Sequence, residues 1–131
     1  MKIENIKFKA KRLDNGEWIY GSLIRSTAGV KERAYIVDNF SSMSDYSIVG
    51  IDPSTVCMFT GLKDKDGNEI YEHDFISISE DREPCEVIFE KGCFLAFNPK
   101  TLIRIPLIRG IDYYAWELLV VGNKFDKENN L

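Results

Sequence analysis

The sequence is most informative first in what it lacks. It has one histidine, His73, and three cysteines, Cys57, Cys85 and Cys93, with no Cys-x-x-Cys pair among them. A His-rich or Cys-rich metal site cannot be assembled from that set, and we expect the thiols to be reduced, small apolar packing residues. No Gly-rich phosphate loop is present; Gly21, Gly29, Gly61, Gly67, Gly92 and Gly110 are scattered singly, as turns would place them. There is no excess of cations: the formal net charge is -4 and the sequence pI about 5.1, which argues against a generic phosphate-binding surface. No run approaches the roughly 20 apolar residues that span a bilayer. The opening Met1-Lys2-Ile3-Glu4-Asn5 has no apolar core of signal length. From these absences a cytoplasmic protein with no membrane partner is expected.

What is there is β-forming. With 131 residues the chain suits one domain, or one domain and a small lobe. Eight Phe, six Tyr and two Trp favour strands. The organising stretch is residues 58–76. Apolar Met58, Phe59 and Leu62 enter, residues 63–68 carry the Asp66-Gly67 turn signal, and Ile70, Phe75 and Ile76 return. Asp-Gly marks a tight hairpin because the turn needs positive φ, which Gly adopts without steric cost.

The rest alternates strand and turn. Residues 6–11 set Ile6, Phe8 and Ala10 against Lys7, Lys9 and Lys11, predicting a half-buried strand with a basic outer face that would discourage edge pairing. Asp14-Asn15-Gly16 turns it into a second strand at 17–24. Further strands are predicted at 34–37, 48–52, 75–79, 85–89, 93–97, 102–108 and 116–123. Between them lie a polar loop at 26–33, a Ser-rich loop at 38–47, a charged turn at 80–84 and a turn at 109–112. Asp52-Pro53 stops the first lobe, since Pro cannot continue a central strand, and Pro106 puts its strand at an edge or a bend. No convincing amphipathic helix is found. The expected class is mainly β with little helix: a small N-terminal β lobe at 1–54, a second lobe at 55–125 and a tail at 126–131.

The stretch Thr60-Gly61-Leu62-Lys63-Asp64-Lys65-Asp66-Gly67-Asn68-Glu69-Ile70-Tyr71-Glu72-His73-Asp74-Phe75-Ile76 resembles the signature of the YopX family, small proteins of phages and prophages. Ile6-Lys7-Phe8-Lys9-Ala10, Gly16-Glu17-Trp18-Ile19-Tyr20-Gly21 and Val121-Gly122-Asn123 extend the likeness over essentially the whole chain. One position departs: the family usually has Gly where this chain has His73. The resemblance implies an SH3-like barrel for the second lobe and the cytoplasm of a bacterial host. It implies no reaction.

Each chemical candidate has a bland alternative. Asp64, Asp66, Glu69, Glu72 and Asp74 form an acidic cluster. With Gly67 at the sixth position of a calcium loop, Leu62 falls first and His73 twelfth, so the match fails at both ends. A solvated turn is the expectation. His73 could activate a thiol, but nothing in the sequence marks one as activated. Lys7-Phe8-Lys9-Ala10-Lys11-Arg12 and Tyr113-Tyr114-Ala115-Trp116 offer cations and stacking rings for nucleic acid; a solvated strand face, and core with one exposed Tyr, are the alternatives. No catalytic residue, metal or cofactor is assigned. The expectation is a non-enzymatic binding or assembly module acting on a protein partner. A nucleic-acid accessory protein is the alternative, with an enzyme on a small metabolite behind it. Self-association would suit a small β protein with edges to cover.

Overall fold

The protein, described as a computed structural model, is detailed here at residues 2–29, 31–38 and 47–126. The central part of the Ser-rich 38–47 segment and nearly all of the 126–131 tail lie outside those residues. By contacts along the backbone the chain divides into two compact units, Met1–Phe59 and Thr60–Leu131.

The first unit is an antiparallel meander of β1 (Phe8–Lys11), β2 (Trp18–Ser26), β3 (Arg33–Asp38) and β4 (Ile48–Ile51). The start of β5 (Cys57–Lys63) lies along the other side of β1, pairing Lys9 with Cys57 and Phe8 with Met58. Register puts Ala10 opposite Ile19, Leu23 opposite Ile36, and Ala34 opposite Ile51. Those period-two positions form the buried core of Ala10, Ile19, Ala34, Ile36 and Ile51. After β1 the chain curls back onto β4. Arg12 bridges Ile51, the Leu13 N–H donates to Gly50 O (3.1 Å) and the Asp52 N–H to Lys11 O (2.9 Å). In β2, Gly21 allows the close approach of β3, since a Cβ there would sit 2.1 Å from Val37 O. Asp52 then caps the short 3-10 turn Pro53–Thr55, accepting from the Ser54 N–H (3.0 Å).

The predicted first strand therefore holds an interior place between β2 and β5, not an edge. Its lysines do not serve as edge guards.

In the second unit, β5 continues beside β6 (Glu69–Tyr71) around the predicted hairpin, with Gly67 at φ 86°. A five-stranded antiparallel sheet follows, ordered β10-β9-β8-β7-β11. It comprises β7 (Asp74–Ser77), β8 (Cys85–Glu90), β9 (Cys93–Phe97), β10 (Arg104–Pro106) and β11 (Leu119–Asn123), with a short helix α1 (Leu107–Asp112) before β11. Ile70, Ile76, Cys85, Val87, Ala96, Leu107 and Leu118 make its core. Lys91 and Gly92, both at positive φ, close the β8–β9 hairpin in the primed-turn manner that matches strand twist.

Two expectations change here. The strand predicted over 102–108 is three residues long, and 109–112 is helix rather than turn. Pro106 explains both, because it ends the edge pairing and sits at the helix N-cap, delivering buried Leu107 into the core. The last strand begins at Leu119, not 116, because residues 113–118 form the turn and connecting segment that follow α1. The sheet is open: no ladder joins β10 to β11 among the described residues. The fold is mainly β, in two sheets.

Two buried carboxylates fasten the second unit. Asp64 Oδ1 accepts the N–H groups of Asp66 (3.0 Å) and Asn68 (2.8 Å), and Oδ2 accepts the Val120 N–H (2.9 Å) and Asn68 Nδ2 (3.3 Å). Asp74 accepts the Tyr71 N–H (2.8 Å) and Asn123 Nδ2 (2.8 Å). Burial alone would raise the Asp64 pKa; the donors from Val120, Asn68 and Asp66 outweigh it and hold the carboxyl below its usual range.

Asp64→Ala should therefore lower stability by about 2–4 kcal/mol in a urea titration. A depressed native pKa stabilises above the unfolded value and is lost as pH falls through the native one. The gap between wild type and variant should thus shrink below about pH 4. A gap unchanged between pH 6 and pH 2 would refute the charge-assisted role.

Candidate functional site: an aromatic groove in the second unit

The second unit carries two adjoining hollows that share Ile78, Arg82, Ile105 and Trp116. The wide one, about 900 Å³, is lined also by Ser77, Tyr114 and Leu119, with Lys65, Glu80, Asp81 and Glu117 around it. The narrow one, about 370 Å³, reaches toward the core at Cys85 and Ala96 and is flanked by Ile103. Together they have the dimensions of a ligand or peptide cleft.

The end of α1 builds one wall. The Tyr113 and Tyr114 N–H groups both donate to Arg109 O (2.8 and 3.3 Å), and the Trp116 N–H donates to Gly110 O (3.0 Å). Ala115 takes a left-handed φ of 55°, which turns the chain there. Trp116 lies so flat on α1 that a Cβ on Gly110 would be 1.9 Å from its ring. The rings then form a ladder. Tyr114 stacks on Trp116 (5.9 Å, 20°), Tyr113 meets Tyr114 edge to face (5.0 Å, 85°), and the Arg109 guanidinium covers Tyr113 (5.3 Å). Tyr113 is 72% exposed and Tyr114 48%.

The opposite wall is the loop between β7 and β8. It is braced by the Ser79 hydroxyl on Asp81 (2.8 Å), by the Arg82 N–H on Ser79 O (3.3 Å) and by the Glu83–Lys100 ion pair (2.9 Å). The Ser79 bond keeps the Asp81 carboxyl below its ordinary pKa. Among the described residues no hydrogen bond or ion pair engages the side chains of Lys65, Glu80, Arg82 or Glu117. Cys85 reaches the narrow hollow, but burial pushes its thiol pKa up, opposed by nearby Arg82. A neutral thiol is a poor nucleophile.

The other candidates resolve differently. Asp64 and Asp74 are consumed by the hydrogen bonds above, so the acidic cluster is not simply a solvated turn. Asp66 is exposed and Glu69 accepts from the Tyr71 hydroxyl (3.0 Å). No group of three or more His, Cys, Asp or Glu side chains among the described residues could hold a metal ion. His73 sits at φ 69°, the conformation that its Gly-preferring position implied. Its Nδ1 lies 2.8 Å from Glu86, its Nε2 3.5 Å from Glu72, and its ring meets Phe125 edge-on at 5.3 Å. Cys57 Sγ donates to Thr55 O (3.2 Å), and Cys93 is exposed.

The predicted basic strand face is not a solvated stripe. Lys7 lies over Phe59 (4.8 Å), while Lys9 and Lys11 lie over Trp18 (4.6 Å each); Lys9 is only 7% exposed. Residues 113–116 do present rings outward, two exposed tyrosines rather than one. Sequence reasoning missed the far wall, Ile78, Arg82 and Ile105. The available signal was the Glu80-Asp81-Arg82-Glu83-Pro84 run, charged and too long for a simple hairpin turn.

Gly110→Ala should unseat Trp116. In an exposed helix the change would stabilise by up to about 1 kcal/mol; here the clash should reverse the sign, costing about 1–3 kcal/mol. The Trp116 indole resonance and the near-ultraviolet circular dichroism should shift together. A stabilised variant with an unmoved indole signal would contradict the packing described.

No helix among the described residues is long and apolar enough to cross a membrane. No curated protein matches the chain. The family model described as "YopX protein" matches residues 7–130, nearly the whole length, and the chain belongs to the YopX family.

Proposed function

We propose that this protein is a non-enzymatic binding module of phage or prophage origin, which captures a segment of a protein partner in the second-unit groove. The cytoplasm of a bacterial host is the proposed setting, in keeping with three cysteines of which none is in a disulfide. The observation that carries the reading is the exposed Tyr113–Tyr114–Trp116 ladder beside an apolar hollow. Rigid aromatic faces next to a desolvated pocket are what peptide-recognition grooves use. The strand order supports the finer reading of this unit as SH3-like. Four strands, β7 to β10, run as a meander, and after a short helix the fifth, β11, returns beside the first, leaving the sheet open between β10 and β11.

The nucleic-acid alternative has less behind it. The rings could stack on bases, but Glu80, Asp81 and Glu117 around them would repel phosphates. The Lys7, Lys9 and Lys11 ammonium groups are engaged with rings.

Panning a random-peptide display library against the folded protein tests the reading. Enriched peptides should perturb the Tyr114 and Trp116 resonances. Tyr114→Ala, at a half-exposed position outside the buried core, should weaken them at least about 10-fold while circular dichroism shows the fold kept. Peptides that perturb only other surfaces, or bind the variant equally, would overturn it. Salt-sensitive binding of single-stranded DNA or RNA with no peptide enrichment would favour the alternative.

A further inference from the structure

The groove is electrically polarised. Arg82 lines both hollows and stands where they meet. Leaving it aside, Glu80, Asp81 and Glu117 face Lys65 around the wide hollow, an excess of two negative charges. Around the narrow hollow Lys100 and Glu83 neutralise each other at 2.9 Å. Arg82 is therefore the positive charge that the narrow end meets; its guanidinium makes no hydrogen bond or ion pair among the described residues, and Asp81 feels its charge from the wide side. At the wide end Asp81 is held by Ser79, whereas Glu80 and Glu117 are unpaired. Lys65 lies on the same side and opposes them, which limits the bias without removing it.

The hollows differ in polarity as well. The narrow one is walled by Ile78, Cys85, Ala96, Ile103, Ile105 and the Trp116 ring. It is large enough for one bulky apolar side chain and offers that chain few polar partners. The wide one presents the stacked Tyr114 and Trp116 faces. Over such faces a guanidinium or ammonium is favourably placed, drawn by the negative face of the ring.

We infer that the occupant of this groove is an extended peptide read in one direction. A large apolar side chain fills the narrow hollow with a carboxylate beside it on Arg82, and a Lys or Arg farther along lies over Tyr114 toward Glu80 and Glu117. This rests on the peptide-binding reading above and adds partner chemistry and polarity to it. The apolar anchor provides most of the affinity, because a filled, water-excluding pocket is where binding energy concentrates. The charges set direction, since reversing the peptide would put like charges together at both ends.

The experiment uses the full chain and synthetic peptides sharing one Leu, Phe or Trp anchor. Flanks carry acid on one side and base on the other, the reverse order, or neither, and fluorescence anisotropy is read at low and at physiological salt. One order should bind about 5–10-fold tighter than its reverse, with the difference narrowing as salt rises. Arg82→Gln should remove the acid preference. Glu80→Gln with Glu117→Gln should remove the preference for base. Both changes are at exposed positions and should leave the fold intact, which circular dichroism checks. Peptides that bind the groove regardless of charge order, or whose order preference survives those variants, would overturn this inference while leaving the groove a peptide site. If no anchor peptide binds at all, both readings fall.

Discussion

The last strand of the second unit is held by donors turned onto two buried carboxylates. Asp64 takes the Val120 N–H, and the Leu118 carbonyl in turn accepts from the Lys65 N–H at 2.9 Å. Asp74 takes Asn123 Nδ2, while the Lys124 N–H donates to His73 O at 2.9 Å. A carboxylate at 7% or 1% exposure is costly unless its lone pairs are filled; here they are filled by backbone and amide donors from segments about fifty residues apart. The hairpin of residues 63–68 is therefore more than a local turn. It presents Asp64 as a socket for β11, and the corner before β7 presents Asp74 as a second one. Removing either acid would leave N–H groups without partners as well as a void, so these positions tolerate little change. This gives the acidic signature stretch a physical reason to exist that requires no ligand.

The groove depends on that fastening at one remove. Between α1 and β11 lie only residues 113–118, and their course is fixed at both ends. At one end are the Arg109 and Gly110 carbonyls; at the other are Leu118, buried in the core, and Val120 on Asp64. Held so, the short segment has to project its rings, with Ala115 taking the left-handed turn that lets Tyr114 stack on Trp116. A left-handed alanine is a strained choice.

Legibility from sequence followed the range of the forces. Turns written in local chemistry were read well: Asp14-Asn15-Gly16 and Asp66-Gly67 need only positive φ or a side-chain bond to their own backbone. Period-two patterns gave most strands for the same reason. The failures are tertiary. Residues 107–112 read as strand and turn because Ile-Pro-Leu-Ile is apolar without a helical period, and six residues are too few to show one. The lysines of β1 read as a solvated face because alternation cannot reveal Trp18 and Phe59 placed beneath their ammonium groups. Asp64 and Asp74 read as turn solvation because their partners Val120 and Asn123 are remote in sequence. In the groove, the aromatic wall was visible as Tyr113-Tyr114-Ala115-Trp116, whereas the loop that faces it was not.

The distribution of polar groups is what favours binding in the function proposed above. Catalytic acids and nucleophiles work when a perturbed group faces a cleft with room for a substrate. In this chain the buried carboxylates face inward and are saturated, and the Cys85 thiol at the narrow hollow is driven toward its neutral form. What the cleft presents instead is aromatic face, aliphatic wall and unpaired charge of both signs. On the proposed reading, such a surface gains by excluding water from the peptide it holds.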